Sequence, residues 1–94
     1  MPYGRRLLLY ALAKGPGDAV RRNDERAADR YRRRIGLIAG QFDTNPAIHE
    51  VLELLLWVSG RWLTTDVVER GEIQEQILAL TERVMELLLP SAAS

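Results

Sequence analysis

The chain has 94 residues with 13 basic and 13 acidic side chains, so its formal net charge is zero. This length indicates one domain, over residues 1–94, and the balanced charge argues against a dedicated nucleic-acid-binding domain, which is usually strongly basic. There is no cysteine, which excludes disulfides and thiolate chemistry and suits the cytoplasmic location that we expect.

The first part of the chain predicts a short helix over residues 3–14. Gly15-Pro16-Gly17 follows, and this combination is a strong helix breaker. Asp18 is then expected to cap a longer second helix that ends near Gly40. The apolar positions of this helix are Val20, Ala27, Tyr31, Ile35, Ile38 and Phe42. They are small at the beginning of the helix and large toward its end, so we expect the first half of the helix to face solvent or a partner.

The middle of the chain, Pro46 to Thr65, is its most apolar stretch and contains the only histidine and both tryptophans. Asn45 can cap a helix through its side-chain oxygen, and proline is favoured at the first helical position because no hydrogen bond is lost there. The apolar residues cover most of the circumference, which is typical of a buried helix. We therefore predict a central helix over this stretch.

A last helix is predicted from the region of Asp66 to Leu89, with Pro90 ending it. Asp66 and Glu69 resemble a capping box, although Gly71 weakens the first turns and favours a start nearer Glu72. Its apolar residues recur at alternating steps of four and three: Ile73, Ile77, Leu80, Val84 and Leu87. The predicted fold is all-α, a small antiparallel helical bundle with a short first helix and three longer ones.

Three leucine triplets indicate self-association: Leu7–Leu9, Leu54–Leu56 and Leu87–Leu89. Three consecutive helical residues cover about 200° of the circumference, which is wider than one packing face of a small bundle. We predict a homo-oligomer, a dimer or larger, formed through the central and last helices. The residues expected at this interface are apolar members of those helices: Leu55, Trp57, Trp62, Ile77, Leu80 and Val84.

The two halves of the chain carry opposite charge. Through Gly40 there are ten basic and four acidic residues, a balance of +6, and the remainder has three basic and nine acidic, a balance of −6. Two stripes at helical spacing express this polarity, a basic one (Arg22, Arg26, Arg30 and Arg33) and an acidic one (Glu72, Glu75, Glu82 and Glu86, with Ala79 in the gap). Three interpretations stay open: solvated faces, complementary contacts between helices or molecules, and an arginine surface that follows nucleic-acid phosphates.

No motif predicts catalysis, a cofactor or a metal site. His49-Glu50-x-x-Glu53 has the spacing of a zinc protease motif but lacks its second histidine, so only a homodimer that doubled His49 and Glu53 could assemble enough ligands. We therefore predict a non-enzymatic structural or adaptor module that acts through self-association and protein contacts. The alternative is an accessory subunit that binds nucleic-acid phosphates through the arginine stripe.

Overall fold

A computed structural model of the protein describes residues 3–40 and 45–88, with side chains from Leu8 onward. These residues form four α-helices: α1 (Tyr3–Arg21), α2 (Glu25–Ala39), α3 (Pro46–Thr64) and α4 (Gly71–Leu88). A short 3-10 turn, Val67–Glu69, precedes α4, and the described residues contain no strand. The prediction of an all-α helical bundle is confirmed.

The helices pack in a closed ring, in which α1 contacts α2 and α4, and α3 contacts the same two helices. Consecutive helices that are joined by short connections and packed together run antiparallel. It follows that α2 lies diagonally across the bundle from α4 and runs in the same direction. The core between the four helices is built from large apolar side chains with almost no exposure: Leu9, Ile35, Ile48, Leu52, Leu55, Trp62, Ile77 and Val84.

The first helix is longer than predicted, because α1 continues through Gly15-Pro16-Gly17 to Arg21. A Cβ atom on Gly15 would lie 2.3 Å from the Tyr31 ring of α2, so the glycine allows that ring to pack against the α1 backbone. Pro16 has no N–H group and leaves the helical hydrogen bond to Leu12 unmade. Here tertiary packing outweighs the local preference to end a helix, and α1 is as long as α3 at 19 residues.

The break between the first two helices therefore lies later than predicted, at Arg22–Asp24. Asn23 adopts a left-handed conformation with φ of 54°, which asparagine tolerates better than most residues. The Asp24 side chain, rather than that of Asp18, caps α2 by accepting a hydrogen bond from the Ala27 N–H at 3.1 Å. Phe42, predicted at the end of this helix, lies outside the described residues.

The predicted start of the central helix is confirmed, since the Asn45 side chain accepts a hydrogen bond from the Ile48 N–H and Pro46 occupies the first turn. The capping box predicted at Asp66 is wrong, because the Asp66 side chain makes no capping hydrogen bond. The residue precedes the 3-10 turn and not the α-helix itself. The last helix begins at Gly71, close to the predicted Glu72. Its predicted end at Leu89 and Pro90 lies outside the described residues.

Candidate interaction surfaces

The outward face of α3 carries two exposed apolar side chains, Leu54 and Trp57, with Arg61 beside them. These three residues lie three and four positions apart, so they share one face of the helix. The Trp57 side chain is 62% exposed and Leu54 is 46% exposed. The Arg61 guanidinium lies over the Trp57 ring at 5.1 Å from its centroid, within the range of a cation–π contact. We call these three residues the Trp57 surface.

The other predicted interface residues lie mostly inside the protomer. Leu55, Trp62, Ile77 and Val84 are buried in the core, and Leu80 is partly buried against it. Of the six predicted residues, Trp57 is the one classed as exposed, while Leu54, which was not among them, also faces outward. The heptad-like seam of α4 therefore packs against the protomer's own helices, and on α3 the large apolar side chains that are exposed are Leu54 and Trp57.

The predicted arginine stripe lies largely on α2. Arg26, Arg30 and Arg33 are exposed on that helix at steps of four and three, whereas Arg22 is exposed in the turn that precedes it. Within the described residues, Arg22, Arg26 and Arg30 have no carboxylate partner, because the ion pairs found involve other arginines. The outward face of α2 is therefore strongly basic.

One carboxylate on α2 partly offsets this charge. Asp29 accepts a hydrogen bond from Arg32 at 2.8 Å and lies 3.0 Å from the Arg33 guanidinium. The hydrogen bond from Arg32 holds the pKa of Asp29 below its usual value, and the charge of Arg33 contributes in the same direction. Asp29 therefore stays ionised at neutral pH, and its negative charge offsets one positive charge of the Arg32 and Arg33 side chains that it contacts.

The acidic stripe lies on α4, across the bundle from the arginines. Its members are all exposed, and so is the alanine between them: Glu72, Glu75, Ala79, Glu82 and Glu86. Glu86 pairs with Arg83 on the same helix at 3.4 Å, whereas Glu72 and Glu75 form no ion pair among the described residues. The two stripes point away from each other because α2 and α4 are diagonal in the ring.

A buried arginine that the sequence did not predict joins two loops at one end of the bundle. Arg70 is 5% exposed and follows the 3-10 turn. Its guanidinium donates hydrogen bonds to Thr65 O at 3.0 Å and Asn23 Oδ1 at 3.2 Å, and it lies 2.9 Å from Glu25 Oε1. It also covers the Trp62 ring at 4.2 Å from the centroid. Arg70 thus holds the α1–α2 turn against the α3–α4 connection.

In the described part of the chain, the histidine of α3 lies beside a single glutamate of the same helix. His49 Nε2 lies 3.4 Å from Glu53 Oε1, one turn further along the helix, and its Nδ1 atom is buried without a hydrogen-bond partner. Among the described residues, no group of three or more histidine or carboxylate side chains is placed to hold a metal ion. The pair has the geometry of a side-chain contact along one helix.

A cavity of about 170 Å³ lies between α1 and α4. Its apolar side is formed by Leu78 and Met85, and its rim carries two cations and two carboxylates, Lys14, Arg21, Asp18 and Glu82. The balanced rim favours neither an anion nor a cation.

The described helices include none with the length and apolar character needed to cross a membrane.

Comparison of the chain with models of known protein families gave no match, and neither did comparison with curated proteins or with solved structures. The fold places the protein among small all-α four-helix bundles.

Proposed function

We propose that this protein is a non-enzymatic helical module that acts by self-association through the Trp57 surface. The observation that carries the proposal is the 62% exposure of Trp57 beside Leu54 on the outward face of α3. Large aromatic side chains dominate the buried centres of protein interfaces, whereas an isolated protomer gains nothing from exposing one. Because the chain lacks cysteine, the proposed setting is the reducing cytoplasm.

The Trp57 surface has the composition of an interface centre with a polar edge. Arg61 covers one face of the indole ring and leaves its charge toward solvent, and Glu50 and Glu53 lie on neighbouring exposed positions of α3. A two-fold contact would bring the Trp57 surfaces of two copies together, since such an interface uses the same patch on both subunits. The arginines would then lie at its rim, within reach of the partner's glutamates.

The test is the molar mass in solution, measured by sedimentation equilibrium at about 1 M salt, where the Debye length of ~3 Å suppresses charge-driven contacts. We expect the wild type to exceed the 10.7 kDa of one chain and Trp57→Ala to return to it. Val68→Ala is the matched control, because Val68 is 87% exposed but lies on the 3-10 turn. A wild type that stays monomeric, or an unchanged mass in Trp57→Ala, contradicts the proposal.

A second candidate function is binding to nucleic-acid phosphates through α2. It is favoured by the exposure of Arg26 and Arg30 and by the lack of carboxylate partners for them in the described chain. Arginine binds phosphate through paired donors, and such binding weakens steeply with salt. Titration of a labelled oligonucleotide at low salt checks this candidate. Binding that disappears in Arg26→Glu/Arg30→Glu supports it, and no binding at low salt removes it.

A further inference from the structure

The outward face of α2 combines charge with an exposed apolar residue. Leu37 is 80% exposed and lies on the same face as the arginines, four residues after Arg33 and seven after Arg30. A leucine is costly to leave in water, and charged neighbours do not cover it. We call Arg30, Arg33 and Leu37 the α2 face; Arg33 is exposed for most of its length and also lies 3.0 Å from Asp29 Oδ2 on the same helix.

A face of matching spacing and opposite charge lies on α4. Ala79 is a small exposed residue, four residues after Glu75 and seven after Glu72. When Leu37 is placed over Ala79, Arg33 lies at the level of Glu75 and Arg30 at the level of Glu72, provided that the two helices run in the same direction. A large apolar side chain then meets a small one, with two opposite-charge pairs beside it.

The two faces cannot meet within one molecule, because α2 and α4 lie on opposite sides of the bundle. They can meet between molecules, and the direction of the helices fits this contact. Since consecutive helices alternate in direction, α2 and α4 run the same way, so a neighbouring copy displaced sideways presents its α4 parallel to α2 of the first. The parallel register that the residue spacing requires is thus the one that the fold supplies.

We propose that the α2 face of one copy docks on the Glu72–Ala79 segment of α4 in a second copy. The contact joins two different surfaces, so each molecule keeps one free α2 face and one free α4 face, and assembly continues head to tail into an open chain or a ring. The two charge pairs set register and association rate more than affinity. This inference extends the proposed self-association to a second surface and depends on different residues from the Trp57 surface.

The test is a charge exchange, carried out at low salt in the Trp57→Ala background, so that the Trp57 surface does not contribute. One variant carries Arg30→Glu/Arg33→Glu and a second carries Glu72→Arg/Glu75→Arg. Each alone places like charges in the contact, and we expect its self-association to weaken about tenfold or more. An equimolar mixture of the two restores opposite charges at every contact, so assembly should return. Sedimentation velocity measures all three samples.

The matched control is Glu82→Arg/Glu86→Arg, which changes the same charge on the same helix beyond Ala79. We expect it to weaken assembly less than the Glu72→Arg/Glu75→Arg change. Leu37→Ser supplies an independent variant without any change in charge, and it should also weaken assembly. Circular dichroism confirms that each variant is helical, and the Leu37 variant keeps the proposal testable if a charge exchange unfolds the chain.

Three results would overturn the proposal. The Trp57→Ala protein could remain monomeric at low salt up to millimolar concentration, the mixture of exchanged variants could fail to assemble, or Leu37→Ser could assemble as strongly as its parent. An oligonucleotide that binds the monomer through Arg30 and Arg33, without any association between copies, would assign the α2 face to nucleic acid instead.

Discussion

Two arginine–tryptophan pairs lie in the described part of the chain, and they differ in almost everything except residue type. Arg61 lies 5.1 Å from the Trp57 ring centroid, and Arg70 lies 4.2 Å from the Trp62 ring centroid. The two tryptophans are five positions apart on α3. Trp57 is 62% exposed, whereas Trp62 has no exposure at all. The same chemical pair is therefore used once on the surface and once in the core.

The difference lies in what surrounds each guanidinium. Arg70 is held by Thr65, Asn23 and Glu25 while it covers Trp62, so its donors are used within the protomer. Arg61 has no ion pair with the described residues, and the rest of the Trp57 ring is open to solvent. A buried pair whose guanidinium is hydrogen-bonded within the protomer stabilises a fold, and an exposed pair with free guanidinium donors is available to a partner.

The largest expected difference is in the free energy of unfolding that is lost when each tryptophan is replaced by alanine. Trp62→Ala should lower the free energy of unfolding by about 3–5 kcal/mol, because it leaves a large cavity in the core. Trp57→Ala should change it by no more than about 0.5 kcal/mol in the monomer, as is usual for surface substitutions. Urea denaturation of both variants at low protein concentration measures the difference. Equal losses would show that the two tryptophans are not divided between core and surface.

A smaller difference in the free energy of unfolding is expected between variants of Arg70 and Arg61. Arg70→Met should lower the free energy of unfolding by about 2–3 kcal/mol, because it leaves two partly buried acceptors, Thr65 O and Asn23 Oδ1, without their charged donor. The Glu25 partner is 55% exposed and can return to water, which limits the loss. Arg61→Met, the matched change at the exposed pair, should cost about 0.5 kcal/mol or less.

Arg70→Lys separates the two contributions of the guanidinium. It keeps the positive charge but cannot donate to Thr65 and Asn23 in the fork geometry of arginine, so its stability should lie between those of the wild type and Arg70→Met. The same urea denaturation series measures all variants. An Arg70→Met protein as stable as the wild type would show that the hydrogen bonds of Arg70 contribute nothing to folding.

The parts of the fold that depend on residues close together in the sequence could be predicted. The start of α3 at Pro46 follows from Asn45 and proline chemistry, and the all-α class follows from the spacing of apolar residues. The length of α1 could not be predicted, because α1 continues past Gly15 where the Tyr31 ring of the next helix packs against it, and that contact is far away in the sequence. Asn23-Asp24 was the local pattern that could have located the true break.

The candidate surfaces could be predicted only in part. The spacing identified which arginines and glutamates share a face, and those on helices are exposed as the pattern required. On α3, however, apolar residues surround most of the helix, so periodicity could not tell that Leu55 and Trp62 point inward and Trp57 outward. Arg70 has no local pattern, since it donates to a residue 47 positions away. Its role depends on loops that only the folded chain brings together.

The smallest expected change is a shift in tryptophan fluorescence, which also tests self-association through the Trp57 surface. Trp57→Phe leaves Trp62 alone, and its emission should be blue-shifted and resistant to acrylamide at every protein concentration. Trp62→Phe leaves Trp57 alone, and its emission should be red-shifted and readily quenched in dilute protein.

If copies associate through the Trp57 surface, raising the protein concentration shields that indole, so its emission moves to the blue and its quenching falls. The Trp62 signal of the Trp57→Phe protein, measured over the same concentrations, serves as the control, because a core residue is shielded in the monomer already. A Trp57 signal that stays red and quenchable in concentrated protein would separate the exposed pair from assembly, and would leave its exposure as a property of the monomer alone.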